Sequence, residues 1–241
     1  MEETDWQQRT KILTGEESAL KLAASTVAVI GLGGVGAYAA EMLCRAGVGH
    51  LILLDSDCIN VTNKNRQLPA LDSTIGMSKC KVMSERLKDI NGGLKLTVIE
   101  EYLEPSNVEY ILGKCKPDYL IDAIDTLSPK IALIKYCHSN GIPHVSSMGA
   151  GAKYDATAVR LKDISKSFNC PLAYILRKKL RKEGIFKGFP VVFSEELPKK
   201  DAIIPVEERN KKSMTGTISY LPAVFGCVCA QAAIEFLIKK S

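Results

Sequence analysis

Thr26-Val27-Ala28-Val29-Ile30-Gly31-Leu32-Gly33-Gly34-Val35-Gly36 decides the fold: an apolar, β-branched run leads straight into a turn carrying four glycines, and an alanine-rich stretch follows to Ala46. The run suits a buried strand, and Val35 to Ala46 suits a helix. Gly31, Gly33, Gly34 and Gly36 let the chain turn tightly and bring backbone N–H groups at a helix N-terminus within reach of phosphate oxygens. A second strand, His50 to Asp55, completes the unit. Asp55 stands 19 residues beyond Gly36, at a strand end where a carboxylate accepts hydrogen bonds from ribose hydroxyls. These residues specify a nucleotide without saying which, and on them alone a nicotinamide-dependent oxidoreductase is the default reading.

The alternation continues outward. A helix is expected near Ser78 to Ile90, a strand at Leu94 to Glu100, a helix after Pro105 and a strand at Tyr119 to Ala123. A helix from Pro129 follows, with Ser128 as its cap, and then a strand at Ile142 to Ser147. Strands and helices in this order imply a doubly wound, mostly parallel α/β sheet of Rossmann type. The nucleotide-binding domain is read as residues 1–152. Residues 153–241 form an extension packed on the same domain: a strand at Ala158 to Ile164, a basic helix from Pro171 to Lys182, a strand near Pro190 to Ser194, and an apolar helix over Tyr220 to Phe236. Between the last two, Glu195 to Ser213 is poor in apolar residues and reads as a mobile crossover loop.

Composition narrows the class. With 46% hydrophobic and 24% charged residues the chain is globular, and 32 basic against 27 acidic side chains permit a polyanionic partner without requiring one. The first 25 residues mix charges with no apolar run, so no leader is read and a cytoplasmic location is expected. Eight cysteines are scattered singly with no Cys-x-x-Cys pair, which suits reduced, buried small hydrophobes, so no zinc is expected. Ile218 to Ile238 approaches the roughly 20 residues of a membrane span. Pro222, Gln231 and Glu235 interrupt it, and a buried helix is expected instead.

Asn63, Arg66 and Gln67 follow the second strand, and Lys79 heads the next helix after the Gly76 turn. Cations and amides near a glycine turn suit the β- and γ-phosphates of a triphosphate better than the second nucleoside of a dinucleotide. Asp122 and Asp125 lie at the carboxyl end of a central strand, where a carboxylate opposite phosphates is a natural Mg²⁺ ligand.

Together the glycine motif, Asp55-Ser56-Asp57, Asn63-x-x-Arg66-Gln67, Gly76-x-x-Lys79 and Asp122-x-x-Asp125 resemble the ThiF/MoeB/HesA superfamily of ubiquitin-activating-enzyme-like adenylating enzymes. The resemblance implies ATP as substrate, ribose binding by Asp55, phosphate binding by Asn63, Arg66 and Lys79, and Mg²⁺ on Asp125. It also implies a homodimer in which Arg9 reaches the partner's ATP site. Within the superfamily, Ile121 to Lys130, Ser146 to Gly151 and the Pro171 helix are similar to the tRNA threonylcarbamoyladenosine dehydratases. Adenylation of the threonyl carboxylate, followed by ring closure, is the activity this implies. A cysteine desulfurase or sulfur-acceptor partner is a further implication, although the cysteine that relatives can carry before the last helix is missing from Asn210 to Thr215. An adenylyltransferase for a ubiquitin-like sulfur carrier is the alternative, disfavoured by the missing zinc cysteines.

On the helix from Pro171 to Lys182, Leu172, Leu176 and Leu180 form an apolar row. Arg177 with Arg181 and Lys178 with Lys182 stack at i and i+4. Four cations without interleaved acidic partners make this face the candidate tRNA contact.

Overall fold

The chain, described by a computed structural model over residues 5–208 and 211–240, with backbone alone at 205–208 and 211–213, alternates strands and helices through its first two-thirds. In order these are α1 (Gln8–Thr14), α2 (Glu16–Ala24), β1 (Thr26–Ile30), α3 (Gly36–Ala46), β2 (His50–Leu54), α4 (Lys79–Ile90), β3 (Lys95–Ile99), α5 (Val108–Gly113), β4 (Tyr119–Asp122), α6 (Leu127–Ser139) and β5 (His144–Ser147). The extension adds β6 (Val159–Asp163), α7 (Pro171–Arg181), β7 (Pro190–Ser194), β8 (Ile203–Glu208), β9 (Lys211–Thr215) and α8 (Tyr220–Lys239). Seven strands form one sheet in the order β3-β2-β1-β4-β5-β7-β6, all parallel except β6, which runs antiparallel to β7. The expected mostly parallel, doubly wound sheet is therefore present, and strands of the extension complete it.

Helices cover both faces, so β1, β2, β4 and β5 are buried almost throughout; β1, β2 and β4 carry largely continuous apolar runs rather than an alternating pattern, while β5 buries His144, Ser146 and Ser147. One face packs α3, α4 and α8 through Leu43, Met83, Leu221, Phe225 and Leu237. The other packs α5 and α6, with α7 on a neighbouring cluster around Phe193. The sheet order reverses between β1 and β4. Their carboxyl ends, with the glycine turn between β1 and α3, make the crevice where open α/β sheets bind ligands.

Helix α8 is long and apolar enough to cross a membrane, with mean hydropathy 1.9. It lies instead against α3, as the sequence suggests. Gly226 makes that approach possible, because a Cβ there would stand 2.4 Å from the carbonyl of Val35. The alanines and Cys229 behind it are buried.

Several expectations need correction. Helix α6 starts at Leu127 with Thr126 in the cap position, so Ser128 does not cap it and Pro129 sits in the first turn, where no backbone N–H is needed. The expected mobile loop from Glu195 to Ser213 contains a 3-10 turn and the antiparallel pair β8 and β9; residues 209–210 lie outside the described residues. Two short helices, α1 and α2, precede the first strand. Cys58 and Cys227 are exposed, against the expectation of burial, while Cys44, Cys80, Cys137, Cys170 and Cys229 are buried; all eight are free thiols.

Candidate functional site

Gly31 adopts φ +92°, and its Cβ would lie 3.0 Å from the carbonyl of Ala123, so the turn presses against the loop after β4. At Gly36 a Cβ would stand 1.7 Å from the carbonyl of Gly31. These two glycines are required by the turn itself. Gly33 differs, since a Cβ there would meet only Gln67 Nε2, 3.8 Å away. Among the described residues the amides of Gly33, Gly34 and Val35 have no hydrogen-bond acceptor. They are the open donors of the α3 N-terminus, a standard seat for phosphate.

Asp55, just past the end of β2, accepts from the Leu32 amide at 2.6 Å and from the Asp57 amide at 2.8 Å. Burial pushes its carboxyl above the usual carboxylate range, while Lys79 and the two amides pull the other way. Lys79 is itself buried at the head of α4, with its Nζ 2.7 Å from Asp57 and 3.9 Å from Asp55. A ribose hydroxyl offered to Asp55 thus meets a carboxylate already oriented by main-chain donors.

Asn63, Arg66 and Gln67 share one turn of helix-like chain, with the Asn63 carbonyl accepting from the amides of both Arg66 and Gln67. The Asn63 side chain accepts from the Asn60 amide at 3.0 Å, which orders the turn. Arg66 packs its stem on Gly34, and its guanidinium donates to the Thr62 carbonyl and Asn65 Oδ1. Gln67 is buried beside Gly33, and its Oε1 has no partner among the described residues. The sequence therefore groups residues that the fold also groups: the glycine turn, Asp55, Asp57, Arg66, Gln67 and Lys79 line one edge.

Asp122 and Asp125 part company. Asp122 is fully buried at the end of β4, 2.8 Å from the equally buried Lys130. Asp125, three residues on, is exposed in the loop between β4 and α6. This is the carboxylate free to meet a cation. Magnesium is commonly held by one or two carboxylates together with substrate phosphates, and one exposed carboxylate two residues beyond Ala123, whose carbonyl lies against Gly31, is compatible with that mode.

Arg9 is not brought to this edge within its own subunit. It is exposed on α1, and neighbouring Gln7 lies against Gly47 at the far end of α3. The 11 residues of α3 separate it from the glycine turn by roughly 16 Å.

On α7 the buried face is Ala173, Leu176 and Leu180, with Leu172 only partly covered. Arg177 is not free, because its guanidinium donates to the carbonyl of Ser167 at 2.7 Å and also bonds the Ser167 hydroxyl. Lys178, Arg181 and Lys182 are exposed, as are Lys179 and Tyr174, which the sequence reading passed over. The reading also missed Lys153, buried after the Gly149 to Gly151 turn. It donates to the carbonyls of Ser194 at 2.8 Å and Asn169 at 3.1 Å, and burial pulls its ammonium below the usual lysine range.

The profile of the ThiF family matches residues 7–241. A tRNA threonylcarbamoyladenosine dehydratase of Bacillus subtilis is 39% identical over 239 residues, covering 96% of this chain and 94% of that protein. Its counterpart in Escherichia coli is 37% identical and covers 98% of this chain and 96% of its own length. The crystal structure of the Escherichia coli tRNA N6-threonylcarbamoyladenosine dehydratase in complex with ATP superposes with a TM-score of 0.87 at 36% identity, covering 97% of this chain and 95% of that one.

Proposed function

The chain belongs to the ThiF family, and on that premise we propose that it is an ATP-dependent tRNA threonylcarbamoyladenosine dehydratase. The observation that carries this is the near-complete match to dehydratases, including one crystallised with ATP, in a chain whose glycine turn, Asp55 and Arg66 share the crevice edge. The similarity runs through β6, α7 and β7 as well as the nucleotide-binding half, so it concerns the whole enzyme and not the shared fold alone.

In the reaction the threonyl carboxylate of the modified adenosine attacks the α-phosphate of ATP. An acyl-adenylate forms and pyrophosphate leaves. A nitrogen or oxygen of the same modification then attacks the acyl carbon, closing a ring, and AMP departs with one former carboxylate oxygen. The nucleophiles belong to the substrates, so the protein's task is placement and charge stabilisation. Asp55 receives the ribose, with Asp57 keeping Lys79 beside it. Asn63 and Gln67 order the wall behind the phosphates. The open amides of the glycine turn, with Arg66 and Lys79, offset charge developing on the pyrophosphate. Magnesium bound to Asp125 would supply further neutralisation there.

Two further parts of the proposal concern partners. Arg9, distant from its own glycine turn, acts in the crevice of a second copy, which makes the working unit a homodimer. The exposed cations Lys178, Lys179, Arg181 and Lys182 meet tRNA phosphates, and the compartment is the cytoplasm, where tRNA is modified. No cysteine stands between Lys211 and α8, and a sulfur-acceptor role forms no part of the proposal.

The test is pyrophosphate release from ATP with three alternative acceptors: threonylcarbamoylated tRNA, the same tRNA unmodified, and a ubiquitin-like carrier protein. Release with the modified tRNA alone is expected. Release with the carrier alone would transfer the chain to the sulfur-carrier branch.

A further inference from the structure

Asp122 and Lys130 form an ion pair in which neither side chain has any exposure. Burying two charges is costly, and apolar residues of the same volume generally serve stability as well or better. The pair calls for another reason, and its partners supply one. Asp122 accepts the Ser146 hydroxyl at 2.5 Å and the Lys130 ammonium at 2.8 Å on one oxygen, and the Ile124 amide at 3.1 Å on the other. Lys130, reaching back from the first turn of α6, donates to the Ile124 carbonyl at 2.9 Å. Both polar groups of the Ile124 main chain are thus held by one buried pair. The Ala123 amide is held by the Ile30 carbonyl at 2.9 Å. The next residue is Asp125.

We propose that Lys130, paired with Asp122, is a positioning residue for Asp125: it fixes the loop from Ala123 to Asp125 so that the carboxylate faces the phosphates bound at the glycine turn. The inference rests on the reading of Asp125 as the Mg²⁺ carboxylate. The same loop forms the wall against Gly31, so the clamp sets the spacing between metal carboxylate and phosphate seat from one side. The sequence separation of Asp122 and Lys130 hides this, because only the strand-to-helix return brings the two together. Groups that orient a metal ligand commonly change metal affinity about 10- to 100-fold when removed, without touching the metal themselves.

The test compares Asp122→Asn/Lys130→Met, which removes both charges and spares the fold an unpaired buried ion, with Asp125→Asn and Ser146→Ala. Mn²⁺ serves as the probe, titrated by electron paramagnetic resonance into enzyme saturated with α,β-methylene-ATP. Affinity for the analogue in EDTA and thermal melting are followed in parallel. The double variant should melt near the wild type and keep its metal-free affinity for the analogue, while binding Mn²⁺ about tenfold or more weakly. Asp125→Asn should lose the same site outright, and Ser146→Ala should weaken it in the same direction. A folded double variant with wild-type Mn²⁺ affinity, beside an Asp125→Asn that has lost it, overturns the positioning role alone. Unchanged Mn²⁺ affinity in Asp125→Asn overturns the metal role of Asp125 and this inference with it. Should the double variant not fold, Ser146→Ala decides, and unchanged Mn²⁺ affinity there counts against the clamp.

Discussion

Gly33→Ala separates nucleotide binding from folding. Gly33 lies outside the left-handed region, and a methyl there meets only the Gln67 amide at an ordinary 3.8 Å. The nucleotide-free fold should therefore be unaffected, or gain about 0.4–1 kcal/mol through the unfolded chain. The same methyl is carried by the turn whose open amides are proposed to seat phosphate. Forcing a phosphate against it should cost about 1–3 kcal/mol, a loss of affinity of about 5- to 150-fold. Gly36→Ala is the contrasting control, since its Cβ would stand 1.7 Å from main-chain oxygen that cannot yield. It should cost about 3 kcal/mol of stability before any nucleotide is added. Thermal melting without nucleotide, and calorimetric titration with ATP and AMP, read the two effects separately. A Gly33→Ala protein that melts as the wild type and binds ATP equally well would refute phosphate seating at this turn.

Three other outcomes follow from the geometry. Mixing an Arg9→Ala protein with an Asp125→Asn protein should restore about one working site per exchanged dimer, as measured by pyrophosphate release, because both lesions then fall in one crevice and leave the other intact; no recovery would confine Arg9 to its own subunit or to no role. Burial raises the carboxyl of Asp55 above its unfolded value, so this group contributes stability at acid pH that is lost as pH rises through the raised value. Ribose binding needs the ionised form, so ATP affinity measured against pH should fall on acidification at a pH above the ordinary carboxylate range; an acid limb at the ordinary Asp position would contradict the role. Reversal of Lys178, Lys179, Arg181 and Lys182 to Glu should weaken tRNA binding and flatten its salt dependence by roughly one unit of slope per lost phosphate contact, leaving ATP affinity unchanged; an unaltered slope would release α7 from the interface.

The nucleotide-binding half was legible because its signals are local. Apolar runs at β1, β2 and β4 and the glycine turn each determine structure within a few residues. The grouping of Asp55, Arg66 and Gln67 was legible too, since all follow β2 at the carboxyl edge of the sheet. What was not legible depends on distant partners. Arg177 belongs to the cationic row by helical spacing, yet Ser167, on the segment leading into α7, captures it. Asp122 and Asp125 read as an equivalent pair, yet a strand end buries the first and a loop exposes the second. Strands β8 and β9 were missed because a two-stranded ribbon set in a Lys- and Pro-rich stretch shows no alternating apolar pattern. The exposed Cys58 and Cys227 carry no signal that separates them from their buried counterparts.

Ring closure is read most directly from the nucleoside itself. Threonylcarbamoylated tRNA incubated with the protein and ATP, then digested under mild conditions, should yield a modified nucleoside lighter by the mass of one water, with one AMP formed for each ring closed. Unchanged nucleoside mass alongside steady AMP formation would contradict dehydration and leave only an adenylating activity.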